Sequence, residues 1–535
     1  MRHFNLLATA IAGTLAASAA HAVTPATVPS NNRLYVSGAT ATDNALSALF
    51  LRDSSGAVPR ICAPGTIDMY VDGTDPAKAK NRMILCTLES QINDSTGSKS
   101  IAAGQNIALL KESNGGSDRG TAFVADASFL DFRSMTDVSE CAAGAAQGAG
   151  TIASFPGHQA FSLHTNCTHV ESVRTQTGIA DVDPALFTVG TAPVSQDQID
   201  RLQVDSLYQP MFAAAVSLNL YRALQRAQGI TLTGTAADDD EAHMPTMTKG
   251  QIAGLFADGG IRTWGRVVNS AGTAVNNAAF TNGAVVPPLV YVCRRGDESG
   301  TQASAAEYFL NERCGKGTNG FKLKNGVSDQ QNGTAFTAPT ITGGVVTNPG
   351  STGDEVWAGK GSGDVRTCLD SHNDVDHFAI GLLGSESVYD NFGGTGGLAG
   401  NAAGAAQWRY VAINGMKPNL KEVANGRYDF VMEDVLNMRT QTVSGVAPID
   451  NEPLVLHDYI KSSFASLDVI ASLLVKTLPH GYTGGLAGST HAVPNAIPVT
   501  NATLDTKPVS AYTKSPLGPV NNCGNAFPLR ATATN

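Results

Sequence analysis

Short apolar runs and segments with helical spacing follow one another along most of the chain. The apolar runs are bounded by glycine, proline, serine or threonine, which is typical of buried strands. The helical segments place apolar residues three and four positions apart, as in residues 45–51, where Ala45, Leu46, Leu49 and Phe50 share one side. Strands that alternate with helices predict an α/β fold with mostly parallel sheets.

The expected strands span 34–36, 107–110, 211–219, 285–292, 378–383, 408–413 and 427–432. The expected helices span 45–51, 249–256, 302–310 and 454–474, with Thr248 as the N-cap of the second. Residues 221–228 either continue the strand before them or begin a helix. Two segments rich in small residues, 137–176 and 316–365, interrupt the alternation and are interpreted as insertions.

Residues 1–22 have the organisation of a secretory signal peptide. Arg2 and His3 form a short basic start, an apolar run follows, and Ala20-His21-Ala22 fits a small-x-small cleavage site. The apolar run is too short to span a bilayer, and no later run reaches the roughly 18 apolar residues that a membrane helix needs. We therefore expect cleavage after Ala22 and an exported protein, periplasmic or secreted, with no membrane insertion.

Acidic residues outnumber basic ones, 46 against 36, so the formal net charge is −10, and only 15% of residues are charged. This balance lacks the basic surface that nucleic-acid binding requires, so no nucleic-acid partner is expected. The same negative field would not attract an anion from a distance. An anion site in this protein would have to be built from local groups.

All eight cysteines follow the predicted cleavage site, and an even number in an exported chain predicts disulfide bonds. The expected local pairs are Cys62–Cys86 and Cys141–Cys167. A predicted helix separates Cys293 from Cys314 and would hold their sulfur atoms too far apart for a bond. We therefore pair Cys314 with Cys368, which leaves Cys293 and Cys523.

Three turns rich in serine, threonine and glycine follow apolar strands, at 37–42, 113–117 and 295–301. A turn of small residues at the start of a helix leaves backbone N–H groups free to bind an anion. The third turn also carries Arg295, whose planar guanidinium can donate to two oxygens of a tetrahedral oxyanion, and Asp297, which is close enough to pair with it. The alternative is an ordinary capped helix with a surface ion pair.

The order of these segments resembles the phosphate-specific periplasmic binding proteins, the solute receptors of phosphate ABC importers, over about residues 34–475. Gly38-Ala39-Thr40-Ala41-Thr42 is similar to that family's Gly-Ala-Gly-Ala-Thr run, and Glu112-Ser113-Asn114-Gly115-Gly116 to its Gly-Ser-Ser-Gly-Gly. Residues 180–186 resemble its Ser-Asp before Ala-Pro-Leu, and residues 295–301 its Arg-Ser-Asp-Gly-Ser-Gly-Thr.

The resemblance implies a type II periplasmic-binding-protein fold with two lobes, each a mostly parallel sheet flanked by helices. The first lobe would be 23–205 plus 426–535, and the second would be 206–425. The chain would cross between them near 207–210 and near 426–428, and this two-crossing hinge would let the lobes close around one anion.

The resemblance also implies roles for individual residues. The expected donors to phosphate are Thr42, Ser113, Ser299, Gly300 and Thr301. Arg295 would donate twice, with Asp297 orienting it. Asp181 would accept a hydrogen bond from a protonated oxyanion, which would reject sulfate because sulfate lacks that proton. Asp183 competes with Asp181 for this role, and Asp181 is the preferred assignment.

Three positions depart from the family pattern. Asp43 stands where the family has phenylalanine, Asn114 replaces a serine, and Glu298 replaces a glycine. Asp43 either repels the anion or points away from it, and Glu298 adds negative charge beside the pocket.

The interpretation is an exported solute-binding protein that captures inorganic phosphate or a similar tetrahedral oxyanion, with no enzyme activity, cofactor or metal. The expected partners are phosphate and an ABC permease, and the protein is expected to be a monomer. Two alternatives stay open: a structural or adhesive protein on the same fold, suggested by the insertions and disulfides, and an exported phosphatase. Residues 370–377 carry a His/Asp cluster, which is interpreted as a solvated loop rather than a metal site.

Overall fold

The structure is a computed structural model of the 535-residue chain. It describes residues 23–53, 59–152, 155, 157–188, 193–234, 236–313, 323–324, 341–342, 345–346, 355–374, 376–385, 407–474 and short pieces between 476 and 528. The predicted signal peptide at 1–22, most of the predicted insertion at 316–365 and Cys314 lie outside the described residues.

A nine-stranded sheet combines strands from the first 206 residues with one late strand. From edge to edge its strands are Leu202–Ser206, Val435–Arg439, Thr177–Ala180, Arg33–Gly38, Asn106–Glu112, Asn81–Thr87, Asp68–Val71, Phe161–His164 and Ala145–Gln147. Successive side chains of a strand point to opposite faces. Leu34 and Val36 accordingly lie in one hydrophobic core and Tyr35 in another, so this central strand is buried on both faces.

A second, six-stranded sheet is formed by strands between residues 212 and 413. Its strands, from edge to edge, are Thr246–Met247, Trp408–Ile413, Phe212–Ser217, Ala379–Gly384, Tyr291–Arg295 and Glu355–Gly359. A large core surrounds it and contains the buried rings of Trp264, Trp408 and Tyr291.

The α-helices are α1 Asp43–Leu51, α2 Ala122–Ala125, α3 Gln196–Asp200, α4 Leu218–Ala227, α5 Lys249–Phe256, α6 Gly300–Ala305, α7 Ser362–Asn373, α8 Leu420–Ala424, α9 Asn451–Phe464 and α10 Leu467–Leu474. Short 3₁₀ turns occupy Pro25–Thr27, Ser30–Asn32, Ser117–Gly120, Pro184–Phe187, Ala236–Asp239, Glu241–His243 and Trp264–Arg266, and a π-helical turn, Ala306–Leu310, continues α6. Two-stranded ribbons pair Ile92–Asn93 with Ser100–Ile101, Phe129–Arg133 with Val170–Arg174, Tyr208–Pro210 with Leu486–Gly488, Ile341–Thr342 with Val345–Val346, Lys476–Thr477 with Thr483–Gly484, and Tyr512–Thr513 with Phe527–Pro528.

The predicted α/β class is confirmed, but the sheets are mixed rather than mostly parallel. In the first sheet Asn81–Thr87 runs antiparallel to both of its neighbours, and so does Val435–Arg439. In the second sheet Phe212–Ser217 does the same. The hydrophobic pattern along a strand does not give its direction. Direction depends on the connection to the neighbouring strand: a short one allows antiparallel pairing, whereas parallel pairing needs a crossover.

Several predicted elements have different boundaries in the structure. The strand expected at 285–292 begins only at Tyr291, and Val285 is 92% exposed. Pro287 and Pro288 explain the difference, because proline has no N–H to donate to a neighbouring strand. Helix 302–310 begins earlier, at Gly300, and the single helix expected at 454–474 is two helices, α9 and α10.

The strand expected at 427–432 is wrong. Residues 427–430 have no regular structure, and the strand in this part of the chain is Val435–Arg439. Residues 221–228, for which the sequence allows either a strand or a helix, lie almost entirely in helix α4. The predicted insertion at 137–176 supplies Ala145–Gln147 and Phe161–His164, which extend the edge of the first sheet.

Two of the predicted disulfides are confirmed, whereas the pairing of Cys314 with Cys368, which left Cys293 for Cys523, is wrong. Cys62–Cys86 and Cys141–Cys167 are bonded as expected. Cys368, however, is bonded to Cys293 rather than to Cys314. Helix α7 packs against the strand that carries Cys293, which brings the two Cα atoms to 5.9 Å.

The prediction of a solvated loop for the His/Asp cluster at 370–377 holds only for Asp374 and Asp376, which are exposed in a turn, and is wrong for the two histidines. His372 lies in the last turn of helix α7 and is fully buried, and the ring of His377 stacks on that of Tyr291 with their centroids 4.4 Å apart. Burial lowers the pKa of His372 to about 3 and that of His377 to about 4. Both imidazoles are therefore uncharged at neutral pH, and they pack against Tyr291 in the core around the six-stranded sheet.

The strands of the first sheet come from 33–206 and 435–439, and those of the second from 212–413. The division into two lobes with a hinge stays a prediction. Among the described helices, none combines the length and the apolar character needed to cross a bilayer.

Candidate functional site

Parallel pairing brings the ends of three strands of the first sheet together. Arg33–Gly38 pairs in parallel with Asn106–Glu112 on one side and with Thr177–Ala180 on the other. Their carboxyl ends therefore lie side by side at one edge, the usual position of ligand sites in α/β sheets. The segments that leave these ends begin at residues 39, 113 and 181, where the sequence predicts donors and an acceptor.

The first of these segments turns sharply at Gly38. This residue has a φ of +110°, and a Cβ atom on it would lie 2.1 Å from the carbonyl oxygen of Ile179. Only glycine fits there, because L-residues with a side chain rarely adopt that φ. The turn leads to Thr42, which is buried and donates its hydroxyl to the carbonyl of Ala39 at 3.0 Å.

Ser113 follows the second strand end and is fully buried. Its backbone N–H donates to the carbonyl of Lys80 at 2.8 Å, and its hydroxyl donates to the Asp43 carboxylate at 2.5 Å. The Lys111 ammonium donates to the same hydroxyl at 2.6 Å. Both donors of Ser113 are thus engaged within the protein.

Asp181 follows the end of the third strand and is only 1% exposed. Its Oδ2 accepts a hydrogen bond from the Thr301 hydroxyl at 3.3 Å, while its backbone N–H donates to Ser117 Oγ at 3.2 Å. Its Oδ1 has no hydrogen-bond partner among the described residues. Burial raises the pKa of Asp181, and the nearby Arg295 guanidinium opposes that rise.

The carboxylate of Asp183, the competing acceptor, is engaged in other hydrogen bonds. It accepts from the backbone N–H of Ala185 at 2.7 Å, as the N-cap of a 3₁₀ turn, and from the backbone N–H of Asn522. Of the two carboxylates, Asp181 is the one that faces Thr301.

The second sheet contributes the end of strand Tyr291–Arg295 and the start of α6. Ser299 is the N-cap of α6, and its hydroxyl accepts from the backbone N–H of Gln302. Gly300 and Thr301 follow in the first turn, where backbone N–H groups have no partner within a helix. Arg295 is 1% exposed, and its guanidinium donates to Thr40 Oγ1 at 3.4 Å, across to the first turn.

The predicted support of Arg295 by Asp297 is wrong. Asp297 accepts from the guanidinium of Arg294 instead. Successive side chains of a strand point to opposite faces, so Arg294 and Arg295 diverge, and the chain turns Asp297 towards Arg294. Arg295 is instead positioned by the Ser362 hydroxyl at 3.3 Å and the carbonyl of Lys360.

Segments from the two sheets touch at this point. A Cβ atom on Gly300 would lie 2.6 Å from Ser117 Oγ and 2.7 Å from Asp181 Cβ, so only a glycine permits this approach. The backbone N–H of Asp118 donates to the carbonyl of Glu298 at 3.1 Å. Gly300 and Thr301 therefore contact Asp181 directly. Arg295 contacts the first turn through Thr40, two residues before Thr42, and Ser113 donates to Asp43.

Charged groups dominate this region. Lys111 and Asp43 form a buried ion pair at 3.1 Å, and Asp181 lies within the electrostatic influence of both. Burial and the adjacent Glu298 carboxylate raise the pKa of Asp118 to about 7. Cation and carboxylate charges are thus interleaved in a space from which water is largely excluded.

Sequence reasoning missed Lys111, Ser117 and Thr40. The signal for Lys111 was available, because a lysine directly after the apolar run 107–110 occupies a position that the sheet buries. No comparable signal marks Ser117, whose contact with Gly300 depends on how the two sheets meet.

No family model matches the chain, and no curated protein matches it either. Solved structures similar to it include a protein described as a phosphate ABC transporter substrate-binding protein with bound phosphate, from Clostridium perfringens, at 12% identity and a TM-score of 0.37, covering 85% of this chain and 99% of that one. The periplasmic phosphate-binding protein PfluDING, bound with phosphate, has 12% identity and a TM-score of 0.37, covering 88% and 97%. An ABC-type phosphate transport receptor from Vibrio cholerae has 12% identity and a TM-score of 0.24, covering 50% and 69%. Similarity at this level supports no inference about a ligand.

Proposed function

We propose that this chain is an exported solute-binding protein that captures inorganic phosphate, or a similar tetrahedral oxyanion, between two lobes. It would deliver the anion to an ABC importer and carry out no reaction on it. The first lobe would contain the nine-stranded sheet and the second lobe the six-stranded sheet.

The proposal rests on the contact between Asp181 and the first turn of α6, which follows the strand that ends at Arg295. Asp181 and Thr301 are 120 residues apart in sequence, yet their side chains lie within hydrogen-bond distance and both residues are 1% exposed. The Oδ1 atom of Asp181 has no hydrogen-bond partner among the described residues, and a buried carboxyl oxygen is costly without one. An anion that carries a proton would donate to Asp181 and would accept from the nearby Arg295.

Each group has a defined task in this proposal. Arg295 supplies a permanent positive charge in a planar fork that matches two oxygens of a tetrahedral anion. The backbone N–H groups of Gly300 and Thr301 supply further donors at the positive end of a helix. The Asp181 Oδ1 atom has no partner among the described residues, and it would accept the proton that phosphate retains and sulfate lacks.

The proposal includes closure of the two lobes around the anion. The donors on α6 follow a strand of the six-stranded sheet and Asp181 follows a strand of the nine-stranded sheet, so one anion would complete hydrogen bonds on both sides only when the two parts are together. The hinge would lie where the chain passes between the sheets, near 207–210 and 426–428.

Isothermal titration calorimetry of the purified protein with inorganic phosphate, with sulfate as the control anion, tests the proposal. Arg295→Ala should weaken phosphate binding at least about 100-fold, because it removes charge-assisted hydrogen bonds worth about 1.5–3 kcal/mol each. Arg295→Lys should recover only part of that loss, because it restores the charge without the fork. Arg266→Ala, at an exposed arginine of the second-sheet part, serves as the matched control and should bind like wild type. Equal phosphate affinity in Arg295→Ala and Arg266→Ala would refute the assignment.

A further inference from the structure

A buried lysine lies beneath the turn that leads to Thr42. The Lys111 ammonium donates to the carbonyl oxygens of Gly38 and Ala39, at 3.0 and 3.2 Å, and pairs with Asp43 at 3.1 Å. The side chains of Lys111 and Asp43 are 3% and 4% exposed. A fully desolvated ion pair therefore underlies the first loop of the candidate anion site.

The directions of the hydrogen bonds identify what this pair does to Ser113. An ammonium group has no lone pair, so the Ser113 hydroxyl must accept from Lys111 and direct its own proton to Asp43. Its backbone N–H is engaged with Lys80. Ser113 therefore has no donor left for a ligand, and the charged groups bonded to it are Lys111 and Asp43.

Both charges lie close to the candidate site. The Lys111 ammonium lies 3.0 Å from the carbonyl oxygen of Gly38, and Gly38 pairs with Ile179, two residues before Asp181. Burial raises the pKa of the Asp181 carboxyl, and Lys111 and Asp43 act on it with opposite signs. Electrostatic interactions between buried groups are screened much less than those at the surface. Arg82 and Glu112 are the other charged groups that act on Lys111, and they have opposite signs.

We infer that Lys111 and Asp43 together set the anion affinity of this site. Lys111 is a second cation in addition to Arg295, and the negative charge of Asp43 weakens the attraction between Lys111 and the anion. This inference rests on the oxyanion function proposed above and adds to it the charge that the site presents. The site then attracts a tetrahedral oxyanion through two cations, one on each sheet. The strength of that attraction depends on how far Asp43 neutralises Lys111.

Replacing Asp43 and replacing Lys111 should change phosphate affinity in opposite directions. Asp43→Asn removes a negative charge near the anion and leaves Lys111 in place, so phosphate affinity should rise at least about threefold. Lys111→Met removes the cation and leaves the carboxylate, so affinity should fall about tenfold or more, as losses of close charge pairs do in other interfaces. Lys111→Arg keeps the cation and should bind more tightly than Lys111→Met.

The measurement is calorimetric titration with inorganic phosphate at constant pH and ionic strength, with a melting temperature for each variant. Asp239→Asn is the matched control, because Asp239 is in a buried ion pair with Arg222 at 2.7 Å in the second-sheet part, away from the site. It should lower the melting temperature without changing phosphate affinity. A purely structural ion pair at Lys111 and Asp43 would behave in the same way as this control.

The results separate the two proposals. Tighter binding by Asp43→Asn supports the inference even if Lys111→Met fails to fold, whereas unchanged or weaker binding by a folded Asp43→Asn overturns it and leaves the oxyanion function intact. Absence of binding by the wild-type protein to both phosphate and arsenate overturns the oxyanion function and this inference with it.

Discussion

Gly300 is the position where a single methyl group should separate the two sides of the candidate site. A Cβ atom there would lie 2.6 Å from Ser117 Oγ, 2.7 Å from Asp181 Cβ and 3.0 Å from Asp181 Oδ2. Two of these contacts are far below van der Waals distance, and both come from the first-sheet part of the chain. Gly300→Ala therefore forces α6 away from Asp181.

The size of the effect follows from the cost of overpacking. An extra methyl group in a well-packed site costs about 1–3 kcal/mol. If the strain exists only when the two sides are together, the cost appears in the binding free energy. Since about 1.4 kcal/mol is tenfold in affinity, phosphate binding should weaken about 5- to 150-fold.

Calorimetric titration with phosphate measures this loss, and Gly250→Ala is its matched control. Gly250 is also in the first turn of a helix, α5, and a Cβ on it would meet only Thr248 Oγ1, at 4.0 Å. Gly250→Ala should leave phosphate affinity unchanged and should not destabilise the fold, because alanine favours a helix more than glycine does. Phosphate affinity of Gly300→Ala within about twofold of wild type would show that the two sides do not close at this contact.

Two other outcomes concern the stability of the fold. Burial and the Glu298 carboxylate raise the pKa of Asp118 from 3.8 to about 7, so the folded state holds a proton that the unfolded state releases. The free energy of unfolding should therefore fall as the pH rises from about 4 to about 7, and Asp118→Asn should flatten that fall in urea denaturation; an identical pH slope in the two proteins would contradict the assignment. Replacing both Cys293 and Cys368 with alanine removes a crosslink between residues 75 apart and should cost about 2–4 kcal/mol in thermal or urea unfolding. An unchanged melting temperature would show that packing of α7 against its strand suffices without the bond.

The candidate site shows where prediction from residues alone succeeds. Ser299, Gly300 and Thr301 were expected at the start of a helix after a strand, and they lie there because hydroxyl and glycine residues favour helix caps. Asp183 is the N-cap of a 3₁₀ turn and Asp181 accepts from Thr301, while the role of Asp181 as the acceptor for the anion stays a prediction. The two caps depend on neighbours a few residues away in the chain.

The errors have a different origin. Asp297 pairs with Arg294, and Cys368 with Cys293, because a strand sends adjacent side chains to opposite faces and a helix packs on one of them. The engagement of Ser113 by Lys111 and Asp43 was missed for the same reason. Each of these contacts depends on which face of a sheet a residue occupies and on what that face meets.

The sequence by itself determined the α/β class, most of the central strands, two disulfides and the local chemistry of each turn, because hydrophobic periodicity and capping act over a few residues. Only the tertiary structure decided the mixed strand directions, the partner of each buried charge and the approach of Gly300 to Asp181. Those features depend on how separate segments of the chain pack together, as where Asp181 meets Thr301, 120 residues further along. Their free energy comes from packing and desolvation, which no local pattern encodes.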